Sequence, residues 1–171
     1  MTDYNNPRDN FIFEAIGRLV VAWSHLEFAI DMMVFIVHEA QEGDPDRQEK
    51  PRSLKSKLDY LSKFFKKIPN DDNSIDGYKI LISHIREASI ERHDIIHGVA
   101  IKHVEGSGEI QMVRLIHNEK SFDKKPVTVN VETIGPAIRK ANHLTQKVMN
   151  WNTRAYDFIK VLNQSGEPQN N

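Results

Sequence analysis

The chain has 171 residues, 39% apolar, 27% charged and 8% aromatic, a composition that fills one sizeable core and excludes wholesale disorder. It has no cysteine, which excludes disulfides, thiolate metal sites and a cysteine nucleophile, points to a reducing cytoplasm, and leaves eight histidines as the reactive side chains. The net charge of −1 provides no overall attraction to nucleic acid or an anionic membrane.

Over residues 7–40, Ile12, Ile16, Leu19, Trp23, Leu26, Ile30, Met33 and Val37 recur at alternating steps of four and three, which predicts one long helix opened by Pro7. Its most apolar run, residues 20–37, is interrupted by Ser24, His25, Glu27 and Asp31, so it reads as a buried soluble helix rather than a membrane span. The opening residues lack the basic start and small-residue cleavage site of an export signal. A polar loop containing Gly43 and Pro45 follows, and Ser53 is then placed to cap a second helix whose apolar face is Leu54, Leu58, Leu61, Phe64, Phe65 and Ile68, stopped by Pro69.

Charge is segregated along these segments. Residues 1–49 carry three basic and ten acidic side chains, whereas residues 50–67 carry seven basic ones against Asp59 alone. Lys55, Lys63, Lys66 and Lys67 are therefore the candidates for holding RNA phosphates; the plainer reading is a solvated face leaning on the acidic first segment.

A third helix is predicted over residues 74–97, with Tyr78, Leu81, Ile85, Ala88 and Ile95 on one stripe and Gly98 as its stop. The period then changes to two. Residues 99–104 and 110–116 flank a Gly106/Gly108 turn, and residues 127–131 alternate as a third strand, giving a small antiparallel meander. Pro136 is placed to open a last helix with Ala137, Ala141, Leu144, Val148, Trp151, Ala155, Phe158 and Leu162 on its stripe. The expected architecture is mainly α: an antiparallel bundle of four main helices in one domain, residues 1–162, with a β-insertion at about 99–131 and a disordered tail over 163–171. Stripes this long exceed what one core covers, so a homodimer is expected.

The segment Glu91-Arg92-His93-Asp94-Ile95-Ile96-His97-Gly98 crowds five ionisable side chains into seven positions at a helix end. Arg92 falls on the apolar stripe, so a permanent cation faces the interior and needs a partner; Glu27 and Asp31 of the first helix are the candidates.

This segment resembles the signature of the HEPN superfamily, the higher eukaryote and prokaryote nucleotide-binding helical bundles, in which Arg, a polar residue, three further residues and His follow in order. Here these are Arg92, His93, Asp94-Ile95-Ile96 and His97. A long first helix with a Trp-x-x-Leu-Glu element, Trp23 to Glu27, is a further likeness to small bacterial HEPN proteins, which covers helices one, three and four. The resemblance implies a dimeric, metal-independent endoribonuclease needing no cofactor, often the toxin of a toxin–antitoxin or phage-defence pair with an antitoxin protein as partner. Arg92 and His97 would be its catalytic pair, and His93 its polar position.

The chemistry suits those residue types. RNA cleaves itself when a base takes the 2′-hydroxyl proton, an acid protonates the leaving oxygen and a fixed cation stabilises the phosphorane. An imidazole titrating near neutral pH does the first, and a guanidinium fork matches phosphate oxygens. Five residues of ideal helix turn through about 500°, leaving Arg92 and His97 about 140° apart, so they are expected to converge only by fraying at Gly98 or across a dimer.

Two other readings use the same residues. In one, Arg92 pairs with a carboxylate, His97 caps the helix, and the chain is a noncatalytic nucleotide-binding or protein-interaction module. In the other, His93 and His97, four apart on one face with Asp94 between them, bind zinc in a hydrolase, with His84, His103 or His143 as third ligand. Trp23 and Trp151 read as packing anchors rather than base-stacking platforms.

Overall fold

A computed structural model describes residues 7–41, 49–67, 74–104, 108–118 and 121–165. Within them lie four helices, α1 (Pro7–Glu39), α2 (Leu54–Lys67), α3 (Ser74–Ile96) and α4 (Val131–Ser165). Between α3 and α4 comes one antiparallel sheet of β1 (Val99–Val104), β2 (Glu109–Asn118) and β3 (Ser121–Asn130), in the order β1-β2-β3. The expected Gly43/Pro45 loop, Ile68, the Pro69 stop, Gly106 and residues 166–171 lie outside the described residues, as do the side chains of Lys67, His103, His117, Phe158 and Leu162.

The chain divides into two compact units: one of Met1–Ser24 with Arg86–Asn142, the other of His25–Ile85 with His143–Asn171. In the first unit, Ile12 and Leu19 of α1, Ile95 of α3, Ile110 and Met112 of β2, Val129 of β3, and Ile134 and Ala137 of α4 form one buried cluster. Strand alternation supplies the sheet's share: Ile110 pairs with Val129 and Met112 with Val127, so these four project from one face. Lys102 pairs with Gln111 after a register shift at Ile101, and Gly108 takes a positive φ of 68° at the start of β2.

The second unit buries Leu26, Ile30, Met33, Val34 and Val37 of α1 together with Leu58 and Leu61 of α2. Phe65, Tyr78 and Trp151 stack there, with ring centroids 3.9 Å apart for Phe65 and Tyr78 and 5.8 Å for Tyr78 and Trp151. Ser53 caps α2 as expected: its Oγ accepts from Ser56 N at 3.1 Å while Ser56 Oγ accepts from Ser53 N at 3.0 Å. By length and composition Asn10–Glu39 would cross a membrane, at a mean hydropathy of 1.7, but 44% of that apolar window is buried, and the core helix of a soluble protein passes the same test.

The boundaries differ from expectation at β3, which starts at Ser121 rather than at residue 127, and at both ends of the last helix. The last helix begins at Val131, not at Pro136, and residue 131 is helical rather than the end of a strand. Asn130 is the reason: its Oδ1 accepts from Thr133 N at 2.8 Å and Thr133 Oγ1 accepts from Asn130 N at 3.0 Å, a reciprocal cap that starts the helix ahead of the proline. Pro136 lies inside α4 and only removes the N–H that Glu132's carbonyl would have accepted. The same helix continues to Ser165, three residues into the segment expected to be disordered.

Candidate functional site

The site belongs to the first unit and is built on the last two turns of α3. The α3 stripe holds, with Tyr78, Leu81, Ile85, Ala88 and Ile95 all buried, and Arg92 enters it half-buried. The interior-facing guanidinium is placed over the indole of Trp23, 2% exposed, with Cζ 5.8 Å from the ring centroid. Arg92 Nε is buried and makes no hydrogen bond among the described residues. The carboxylates expected to neutralise Arg92 belong to the other unit, where Asp31 pairs with Lys57, and Glu27 is half-buried.

Arg92 Nη1 lies 3.0 Å from His97 Nε2. A guanidinium can only donate, so in this arrangement Nε2 accepts, and the imidazole is neutral with its proton on Nδ1. The two side chains thus meet within one chain, by the first of the two expected routes, the running out of the helix before Gly98. The helical bonding runs out just here: His97 N still donates to His93 O at 3.1 Å, but the helix ends at Ile96, and His97 swings back towards Arg92.

His93 stacks beside His97 with ring centroids 4.4 Å apart and a 48° tilt, and both are exposed. Burial of part of its surface lowers the His93 pKa from the usual 6.5, and the positive fields of Arg114 and Arg92 lower it further, against the opposing field of Asp94. His93 therefore favours the neutral imidazole.

Asp94, 9% exposed, faces the sheet and is bound by both Arg114 of β2 and Lys125 of β3. Its burial pushes the carboxyl pKa up, but the hydrogen bonds and charges of Lys125 and Arg114 outweigh that and hold it below the usual 3.8. These two cations were not among the residues the sequence singled out. Arg114 follows Ile110 and Met112 on the inner face of β2, Lys125 shares the face of Val127 and Val129, and the register sets the two directly opposite. Two facing cations on strands that follow a helix ending in Asp94 are the signal in retrospect.

Gly98 completes the junction. A Cβ at this position would lie 3.0 Å from Met112 Cβ and 3.1 Å from Asp94 O, so glycine lets the helix end close on β2. Glu91 binds Lys140 of α4 at 3.5 Å.

Among the described residues no group of three or more His, Cys, Asp or Glu is placed to hold a metal, and Asp94 is taken by Arg114 and Lys125; the side chain of His103, one of the expected third ligands, lies outside them. His84 and His143 are exposed on α3 and α4. Lys55, Lys63 and Lys66 are exposed on α2 in the second unit, so the structure does not gather the lysine candidates and the Arg92/His97 motif into one unit. No family model matches this chain, and no curated protein or solved structure matches it significantly.

Proposed function

We propose that this chain is a metal-independent endoribonuclease of HEPN type, a cytoplasmic homodimer with an antiparallel helical-bundle fold, serving as the toxin of a toxin–antitoxin or phage-defence pair. The observation that carries the reading is the 3.0 Å contact between Arg92 Nη1 and His97 Nε2 at an exposed helix end. It couples a phosphate-matching cation to an unprotonated imidazole nitrogen, two of the three groups that metal-free cleavage of RNA uses.

In this mechanism a phosphate displaces His97 from Arg92, whose fork then binds two non-bridging oxygens. His97 Nε2 takes the 2′-hydroxyl proton, the bond from the 2′-oxygen to phosphorus forms, the bond from phosphorus to the 5′-oxygen breaks, and the leaving oxygen takes a proton from a protonated imidazole of the second motif in the dimer, which is left neutral. The products are a 2′,3′-cyclic phosphate and a 5′-hydroxyl. Lys55, Lys63 and Lys66 on α2 stay candidates for binding RNA phosphates in their own right.

A noncatalytic nucleotide-binding or interaction module is the second reading, and Arg92 favours it in one respect: its seat over Trp23 is a packing role independent of catalysis. The deciding experiment is incubation of the purified protein with mixed cellular RNA in excess EDTA, beside folded Arg92→Ala and His97→Ala variants. Cleavage by the wild type alone, leaving cyclic phosphate ends, supports the nuclease. Intact RNA in every lane, with or without added metal, rejects it in favour of the module.

A further inference from the structure

The Arg-x-x-x-x-His pattern does not by itself bring its two ends together, because on a regular helix they point about 140° apart. We propose that Asp94 is a positioning residue: by bridging Arg114 and Lys125 it clamps the end of α3 to the sheet and so holds His97 where Arg92 donates to its Nε2. Three observations carry this. Asp94 lies in the last turn of α3, where the helix dipole disfavours a carboxylate, so it does not serve the helix itself. It lies buried between two cations that face each other across β2 and β3 and would otherwise repel. Four residues on, Gly98 is pressed against Met112, which shares the inner face of β2 with Arg114. The backbone is thus pinned to the sheet at 94 and at 98, and His97, the first residue past the helix, lies between the pins.

The sheet is consequently part of the site although none of its strands supplies a residue of the motif. The catalytic consequence of the clamp rests on the ribonuclease reading; the geometry it explains does not. A test is therefore available that needs no activity, because the ring nitrogen carrying the proton reports whether Arg92 is in place.

Long-range nitrogen–proton NMR of the ¹⁵N-labelled full chain, at about pH 8 where histidine is neutral, identifies the His97 tautomer. The wild type is expected to show the Nδ1–H form. Asp94→Asn, with its fold checked by circular dichroism, is expected to lose that form in favour of Nε2–H, and Arg114→Gln and Lys125→Gln to shift partway. Retention of Nδ1–H in folded Asp94→Asn, or its absence from the wild type, overturns the proposal. Should Asp94→Asn fail to fold, the two sheet variants, each leaving one ion pair, decide by the same readout, and an unchanged tautomer in both overturns it.

On RNA, Asp94→Asn is expected to lose on the order of 10²-fold in kcat with KM little changed, the loss typical of a misplaced catalytic group. If wild-type protein cleaves no RNA, the ribonuclease reading fails while the tautomer still decides the role of Asp94.

Discussion

Gly98→Ala measures how tightly the motif helix is docked. The added methyl would meet Met112 Cβ and Cε at 3.0 Å each and Asp94 O at 3.1 Å. Met112 Cε is the free end of a flexible side chain and can move, but Met112 Cβ and the Asp94 carbonyl are fixed to the backbone of β2 and α3. Overpacking of this kind costs about 1–3 kcal/mol. Against it, alanine restricts the unfolded chain and returns about 0.4–1 kcal/mol. Gly98 does not have a positive φ, so no conformational penalty is added. The expected net effect is a destabilisation of about 1–2 kcal/mol, or roughly 3–6 °C in Tm for a chain of this length. Urea and thermal unfolding of the wild type, Gly98→Ala, Met112→Ala and the double variant measure it. Met112→Ala keeps its Cβ, so the double variant should retain most of the Gly98→Ala penalty. A Gly98→Ala protein as stable as the wild type or more so would refute the close approach of α3 to β2.

Stability is expected to fall on acidification in two stages. The lowered pKa of His93 means the unfolded chain takes its proton first, so stability declines as pH drops below 6.5; the lowered pKa of Asp94 means its contribution is intact above 3.8 and is lost as pH falls through the folded value. Urea midpoints across pH check this, and Asp94→Asn should remove the second stage; an unchanged acid limb would contradict it. Asn130→Ala should cost about 1 kcal/mol through loss of the α4 cap, read by urea unfolding, and a neutral result would mean that Pro136 starts the helix unaided. Asn152→Leu should be neutral or stabilising, because Asn152 is buried, its Oδ1 has no hydrogen bond among the described residues, and its Nδ2 donates to Ala29 O and weakly to Met149 Sδ. A loss above about 2 kcal/mol there would show that the Ala29 hydrogen bond outweighs the orphaned oxygen.

The helices were legible because each carries a long stripe of one period. On α1, every expected stripe residue from Ile12 to Val37 is buried except the half-buried Ile16. β3 was legible only in its second half, where Val127 and Val129 alternate; its first half is Asp123, Lys124, Lys125 and Pro126, which a strand tolerates because β3 is an edge of the sheet and an edge strand need not donate every N–H. Pro136 misled because a proline signals the first turn in general, while the reciprocal Asn130 and Thr133 cap is specific to this helix. At the site, the sequence exposes the crowding of Arg92, His93, Asp94 and His97 but not their pairings. Those pairings depend on strand register and on where α3 ends, and both are decided by tertiary packing rather than by local pattern.

Neither compact unit is continuous in sequence. The first needs Ile12 and Leu19 near one end of the chain together with Ile134 and Ala137 far along it, and the second needs Leu26 together with Leu144 and Val148. During synthesis, therefore, neither core can close until part of α4 has been made, and the motif on α3 emerges before the strands and helix that hold it. Loop closure over such separations slows folding. It also means that no single cut in the chain releases an intact unit, and that the unit holding the Arg92 and His97 pair is complete only when the chain has been made into α4.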